Sequence, residues 1–403
     1  MRVLFVSDVY FPRVNGVSTS IRTFRDDLAA AGVETILVAP EYPGAPTDSE
    51  SGIVRVPSGS VPLDPEDRRF HSRPLARVLD AGLAARVDLV HVHTPFLAHY
   101  AATRFARRHG LPLVATYHTF FEDYLHHYVP VLPRGIGRFM ARAFTRSQCR
   151  DVAALVAPSA PMRDALLAYG VQTPIEVLPT GLPAASFRRG DGTRFRKRFG
   201  IEADRPMLLY VGRVAHEKNI GFLLRMFVRL RARCPDALFV IAGEGPARAQ
   251  LMNLARELDM DSVVRFIGYL KRDTELLDCY AAGNAFVFAS RTETQGLVLL
   301  EAMAQGTPVV STAELGTRSI LTPDCAAFVV AEDEEQFAAA VAQALSLSGE
   351  DPRRARLLAH ARTWASQAMA RRLIAFYERV RAASQHAVQK ERGPIGTPSQ
   401  ADS

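Results

Sequence analysis

The chain predicts an α/β protein built from two doubly wound parallel sheets that face a central cleft. Three observations carry this expectation. Short apolar runs alternate with longer helical patterns along the whole chain, the signature of strands joined by crossover helices. The length, 403 residues, fits two domains at roughly 100–200 residues each. A polar stretch at 179–206, holding Pro179, Gly181, Pro183, Gly190 and Gly192, separates two sets of strand-like runs.

Taken in order, the first half offers strands at 2–7, 34–39, 89–93, 113–117 and 154–158, with helices at 20–31, 73–85, 97–109 and 161–169. The second half offers strands at 207–211, 238–242, 263–267, 285–289 and 308–311, with helices at 220–233, 247–258, 274–281 and 297–305. This divides the chain into a first domain at 1–185 and a second at 186–365. A last helical segment, 352–383, is expected to leave the second domain, with 366–385 packing back on the first and 386–403 disordered. In such folds ligands bind outside the carboxyl ends of the strands, here the cleft.

Composition excludes several classes. With 48% hydrophobic and 23% charged residues the chain is an ordinary globular one. No apolar run reaches the roughly 18 residues that span a bilayer. The first apolar run ends at Asp8 and reads as a strand, not a secretory signal. The four cysteines, Cys149, Cys234, Cys279 and Cys325, are dispersed without a CxxC, which argues against a disulfide framework or zinc site and for a reducing cytoplasm. The net charge is +7 and only Lys197, Lys218, Lys271 and Lys390 of 49 basic residues are lysines. A lysine at a motif position is therefore slightly informative. No nucleic-acid recognition motif accompanies the charge, so no nucleic-acid partner is expected.

The strongest constellation follows the strand at 285–289: Ser290-Arg291-Thr292-Glu293-Thr294-Gln295-Gly296-Leu297, then Glu301 one turn into a helix. Backbone N–H groups at a helix start attract an anion. Glu293 and Glu301 can accept hydrogen bonds from sugar or ribose hydroxyls, although a solvated glutamate on an ordinary βα unit explains either one alone. The partner motif is Gly212-Arg213-Val214-Ala215-His216-Glu217-Lys218-Asn219. Its two cations suit a diphosphate clamp, arginine as a planar fork and lysine as a point charge; in an arginine-rich chain a basic loop facing water is the plain alternative. Gly243-Glu244-Gly245 would let backbone approach a ligand closely, a weak signal without a third glycine. Asn15-Gly16-Val17 after the first strand is a turn signal that puts Gly16 across the cleft from the phosphates. His91 and His93 alternate on one strand, but no acid or cysteine has ligand spacing, so no metal site is expected. Asp259-Met260-Asp261 precedes a strand and reads as a solvated turn.

These motifs, in this order, resemble the retaining nucleotide-sugar glycosyltransferases of two-domain GT-B architecture, with two Rossmann-like domains, and specifically glycosyltransferase family 4. The resemblance runs over about residues 1–380. It implies that Arg213 and Lys218 bind the donor diphosphate, Glu301 the ribose and Glu293 the transferred sugar. Backbone at Thr294, Gln295, Gly296 and Leu297 would contact sugar and phosphate, Gly16 would allow close approach of the diphosphate, and Gly268, Tyr269 and Leu270 would flank the base. His118, at the end of a strand, matches the family's acceptor-side histidine beside the transferred sugar, and His93-Thr94-Pro95 would sit at the rim of the acceptor cleft. No cofactor or metal is required on this pattern.

The run from Tyr117 to Tyr128, rich in aromatics and histidine, is similar to that of family members that glycosylate diacylglycerol. So is the variant Thr292-Glu293-Thr294-Gln295-Gly296-Leu297. A physical feature points the same way: Arg134, Arg138, Arg142, Arg146 and Arg150 recur every four residues, with Ile136, Phe139, Met140 and Phe144 among them. On a helix this makes a cationic stripe that can rest on an anionic leaflet; core packing of the apolar side is the alternative. The expectation is a cytoplasmic, membrane-peripheral, retaining hexosyltransferase taking UDP-glucose and a lipid acceptor such as 1,2-diacylglycerol. A GDP-mannose or UDP-glucuronate transferase acting on a glycolipid or exopolysaccharide lipid carrier is the alternative. A nucleotide-sugar 2-epimerase, or a scaffold that binds nucleotide sugar without turnover, lies further off.

Overall fold

The computed structural model describes residues 1–43, 51–61, 64–118, 134–272 and 274–392. The first lobe contains β1 (Arg2–Val6), β2 (Glu34–Pro40), β3 (Ile53–Val56), β4 (Ser58–Val61), β5 (Asp64–Phe70), β6 (Leu89–Val92), β7 (Leu113–Thr116), β8 (Ala154–Ala157) and β9 (Ile175–Val177). Seven of these form one sheet in the order β3-β2-β1-β6-β7-β8-β9, with every pairing parallel. β4 and β5 make a separate antiparallel pair. The second lobe contains β10 (Met207–Val211), β11 (Leu238–Ala242), β12 (Val264–Gly268), β13 (Ala285–Phe288), β14 (Val309–Ser311) and β15 (Phe328–Val329), ordered β12-β11-β10-β13-β14-β15 and again all parallel. The apolar runs of the central strands, such as β6, β8, β10, β11 and β13, are buried on both faces, as parallel strands under helices must be.

One core surrounds the second sheet; the first sheet has a core on each face. The final segment is two helices, not one. Helix Pro352–Arg362 stays with the second lobe through Leu357 and Ala361. The chain then turns, and helix Ser366–Arg392 lays Leu373, Phe376, Tyr377 and Val380 against Val3, Phe5 and Val156 of the first sheet. It continues to Arg392, so 386–392, expected to be disordered, are helical; 393–403 lie outside the described residues. The lobes are joined by two adjacent crossings. Leu182 N–H donates to Trp364 O at 2.7 Å and Ser366 N–H to Leu182 O at 2.9 Å. Gly181 is required there, since a Cβ would lie 2.3 Å from Ser366 Cα.

The stretch 179–206 is not an open linker. Asp191 caps helix Gly192–Arg198, its Oδ1 accepting from Arg194 N–H at 2.9 Å. Arg194 in turn forks onto Asp278 at 2.7 and 2.8 Å. Gly190 and Gly192 allow the chain to pack against helix Glu275–Ala282.

Candidate active site

Because both sheets are parallel, the loops after β1, β7, β10 and β13 open on one side, into an interlobe cleft of about 330 Å³. Gly16, His118, Arg213, Lys218, Gly243, Tyr269, Leu270, Glu293, Thr294, Gln295, Gly296, Leu297 and Glu301 line it. Residues as far apart in sequence as Gly16 and Glu301 thus line one cleft from its two sides. Gly245 and Gly268 stand outside this lining.

Gly212 follows β10, and the loop is tied back by the Tyr210 hydroxyl, which donates to Arg213 O at 3.0 Å. Arg213 faces Glu217 at 3.7 Å, and Lys218 Nζ donates to Glu293 Oε2 at 2.6 Å. Lys218 and Glu293 come from loops 75 residues apart and are each about four-fifths buried. Each cation therefore rests against a carboxylate. An anionic ligand would exchange one charge-assisted contact for another. Glu217 belongs to a motif read from sequence, but its pairing with Arg213 was not foreseen.

Helix Leu297–Ala304 starts behind Gly296, whose φ of 98° only glycine holds easily. This aims the first helical N–H groups at the cleft. Glu301, four residues into the helix, is buried. Its two oxygens are taken by the Arg272 guanidinium and by the Tyr280 hydroxyl, the latter at 2.8 Å. Sequence reading missed both partners. Arg272 lies two residues beyond the Tyr269-Leu270 pair assigned to the base, which was the available signal; Tyr280 carried none, since it looks like any core aromatic.

The same loop bonds the lobes together. Thr294 Oγ1 donates to His118 O at 3.1 Å, and Ser159 Oγ donates to Thr294 O at 2.7 Å. The Gln295 amide closes a pair with the Thr180 backbone at 2.6 and 2.9 Å. Thr294 and Gln295 therefore spend their side chains on the first lobe, leaving only backbone for a ligand.

Gly243 and Gly245 have a packing role that the sequence did not show. A Cβ on Gly243 would lie 1.9 Å from Gly212 O, and one on Gly245 would lie 2.4 Å from Val214 O. Both glycines admit the neighbouring loop, and Gly243 also lines the cleft. Gly268 pairs with the same turn, accepting from Gly243 N–H at 2.8 Å. Gly16 differs. It opens helix Gly16–Ala30, capped by Asn15 Oδ1 accepting from Ser18 N–H at 2.8 Å. A Cβ there would meet nothing within 4 Å, so its missing side chain leaves the cleft itself open.

His91 is a core residue. Its Nδ1 bonds Tyr377 Oη at 2.6 Å and its Nε2 bonds Thr116 Oγ1 at 2.7 Å, so neither nitrogen is left for a metal. Burial lowers its pKa to about 3. His118 Nε2 lies 3.3 Å from His93 Nδ1, and burial lowers the His118 pKa to about 4, keeping it neutral. Thr94 has turned inward: its hydroxyl donates to Asp8 Oδ2 at 2.7 Å, and Ala98 N–H also reaches that carboxylate. Burial raises the Asp8 pKa to about 6 despite those bonds. Asp259 and Asp261 are exposed in a turn before β12, at the amino end of that strand and so away from the cleft edge.

Helix Arg134–Arg150 forms as expected. Ile136, Phe139 and Met140 are 52%, 67% and 52% exposed, which rules out core packing for them, and Arg138 is exposed among them. Arg142 is turned onto the Tyr169 ring at 5.0 Å, and Phe144 faces inward to a small cavity. The run 119–128 falls outside the described residues. Among the described residues no helix is long and apolar enough to cross a membrane.

Comparison with known proteins agrees with this geometry. The family model for group 1 glycosyl transferases matches residues 191–364, and that for glycosyltransferase family 4 matches residues 14–185. Over 319 residues the chain is 33% identical to the alpha-monoglucosyldiacylglycerol synthase of Streptococcus pneumoniae, covering 77% of this chain and 71% of that one. It is 29% identical to a GDP-mannose-dependent alpha-mannosyltransferase of Mycobacterium tuberculosis, covering 80% and 82% of the two chains. Sucrose-phosphate synthase from Thermosynechococcus elongatus superposes with a TM-score of 0.74 at 21% identity, covering 95% of this chain and 99% of that one, a likeness of fold. The chain belongs to the family 4 glycosyltransferases, with the two facing α/β lobes of the GT-B architecture and a group 1 glycosyl transferase domain as its second half.

Proposed function

We propose that this enzyme transfers glucose from UDP-glucose to the free hydroxyl of a diacylglycerol, retaining the α configuration, at the cytoplasmic face of a membrane. The observation that carries the donor half is the convergence of Arg213, Lys218, Glu293, Glu301 and the start of helix Leu297–Ala304 on one cleft wall. Arg213, Lys218 and the helix N–H groups stabilise the charge that develops on the departing diphosphate, without a metal. Glu293 receives the sugar hydroxyls as Lys218 turns to phosphate, and Glu301 takes the ribose. The base lies against Tyr269 and Leu270. His118 stands on the opposite lobe beside the sugar. In retention the acceptor oxygen bonds to the anomeric carbon on the face from which the diphosphate oxygen leaves. The hydroxyl proton then has that departing oxygen as its nearest acceptor.

The acceptor half rests on helix Arg134–Arg150, which holds five arginines and no acid and exposes three large apolar side chains beside them. Such a surface suits an anionic leaflet, and the similar synthase of Streptococcus pneumoniae is named for a diacylglycerol product. GDP-mannose is the second reading, favoured by the similarity to the mannosyltransferase. Incubation with labelled UDP-glucose, UDP-galactose, UDP-glucuronate and GDP-mannose over liposomes containing diacylglycerol decides between them. Label from UDP-glucose in the lipid fraction is the expected result. Label that stays water-soluble with every donor overturns the lipid acceptor, and lipid labelling from GDP-mannose alone overturns the donor.

A further inference from the structure

We propose that His93 is a positioning residue for His118: it grips that ring at Nε2 and so presents Nδ1, of the two nitrogens, to the sugar in the cleft. This rests on the reading of His118 as a sugar contact. The His93 and His118 rings lie nearly parallel, 24° apart with centroids at 5.6 Å, joined by the 3.3 Å contact between Nδ1 and Nε2.

His93 is itself held from behind. Its ring lies 4.1 Å from that of His91 at 30°, and 4.6 Å from that of Phe5. His91 is pinned at both nitrogens, by Thr116 and by Tyr377 of the final helix. A continuous chain of contacts thus runs from the C-terminal helix through two buried histidines to a ring on the cleft wall. Rings so packed have one rotamer available, the condition for a preorganised contact.

Burial disfavours the charged form of both rings, so the contact is a neutral N–H···N bond with one proton between two acceptors. The nitrogen engaged by such a bond determines what the other nitrogen offers. The far edge of His93 adds nothing to the site: its Nε2 has no hydrogen-bond partner among the described residues, and the ring borders a cavity of about 30 Å³ that Gln148 and His99 also line. His93 therefore acts on His118 through Nδ1 alone.

That asymmetry makes the test specific. In His93→Asn the side-chain amide can reach the place of Nδ1; in His93→Gln it reaches the place of Nε2; His93→Phe fills the space with no nitrogen. The full-length protein labelled with ¹⁵N-histidine reports the His118 ring nitrogens through long-range ¹⁵N–¹H spectra, and steady-state turnover of UDP-glucose gives kcat and KM. Two nitrogens of distinct, single-tautomer shift are expected for His118 in the wild type. In His93→Phe and His93→Gln they should move toward an averaged ring, with kcat falling about tenfold, the scale of one lost hydrogen bond, and KM nearly unchanged. His93→Asn should restore both readouts. An averaged His118 ring in the wild type, an unchanged His118 spectrum in His93→Phe, or His93→Asn behaving like His93→Phe would overturn the proposal, and the wild-type spectrum decides even where a variant fails to fold. A wild type that does not use UDP-glucose refutes the proposed donor while leaving the spectra to judge His93.

Discussion

Gly243→Ala separates a glycine needed by the fold from one needed by a ligand. Gly243 holds φ at 139°, a region where an L-residue is strained by about 1–3 kcal/mol. Its new Cβ would also lie 1.9 Å from Gly212 O, well inside the roughly 3.3 Å at which carbon and carbonyl oxygen normally meet. Relief requires the turn after β11 to move away from the turn after β10, an overpacking that costs about 1–3 kcal/mol more. The expected loss is on the order of 4 kcal/mol in the second lobe. For a lobe of this size that lowers the melting temperature by roughly 8–16 °C. Calorimetry without any donor reads it. The companion Gly16→Ala places its Cβ in open cleft, so melting should stay within about 2 °C while the donor KM rises severalfold. If Gly243→Ala melts with the wild type, or Gly16→Ala leaves the donor KM untouched, the assignment of these two glycines is wrong.

Lys218→Met removes the partner of Glu293 and one charge from the diphosphate site; kcat should fall roughly a hundredfold with melting shifted by only a few degrees, and an unchanged kcat would remove Lys218 from the mechanism. The double variant Arg138→Glu with Phe139→Ser alters two exposed positions of helix Arg134–Arg150. At about 1 kcal/mol per basic residue near an anionic surface, the liposome-bound fraction at low salt should drop at least tenfold, and equal sedimentation of variant and wild type would count against this helix as the contact. Asp8 titrates near 6 in the folded protein, against 3.8 ordinarily. A carboxyl raised in this way supports the fold below about pH 4 and loses that contribution as pH rises through 6, on the order of 3 kcal/mol in all. Asp8→Asn should therefore gain stability relative to wild type between pH 4 and pH 7 in urea titrations. A difference that stays flat over that range would show that the carboxyl is not perturbed.

The central strands were legible because each is a mostly apolar run, rich in Val, Ile, Leu, Phe and Ala. β1, β2, β6, β7, β8 and β10 to β14 all lie within one or two residues of the positions read from sequence. The short edge strands β3, β9 and β15 were not. Ile53–Val56 and Ile175–Val177 are only partly buried, so their pattern does not stand out from a loop. Helix Glu334–Leu345 was missed despite a readable start, Asp333 capping Gln336 N–H at 2.9 Å. Helix Gly192–Arg198 was hidden in the glycine- and proline-rich stretch read as the domain break, where Gly190 and Gly192 serve close packing.

The candidate site divides in the same way. Arg213, Lys218, Glu293 and Glu301 were readable from sequence because each sits in a loop or helix start directly after a strand, and parallel sheets deliver such positions to one edge. Their partners were not readable. Arg272 on Glu301, Glu217 on Arg213, Gln295 across to Thr180 and His93 behind His118 are contacts between elements whose separation along the chain carries no mark of their meeting. Periodicity and turn chemistry are local properties, so the sequence alone determined the elements, the class of fold and the cations and acids aimed at the cleft. Which charge meets which carboxylate, which glycine faces a neighbour and which faces open space, and which ring holds another in place depend on how the two sheets and the returning helix pack, and only the tertiary structure decided them.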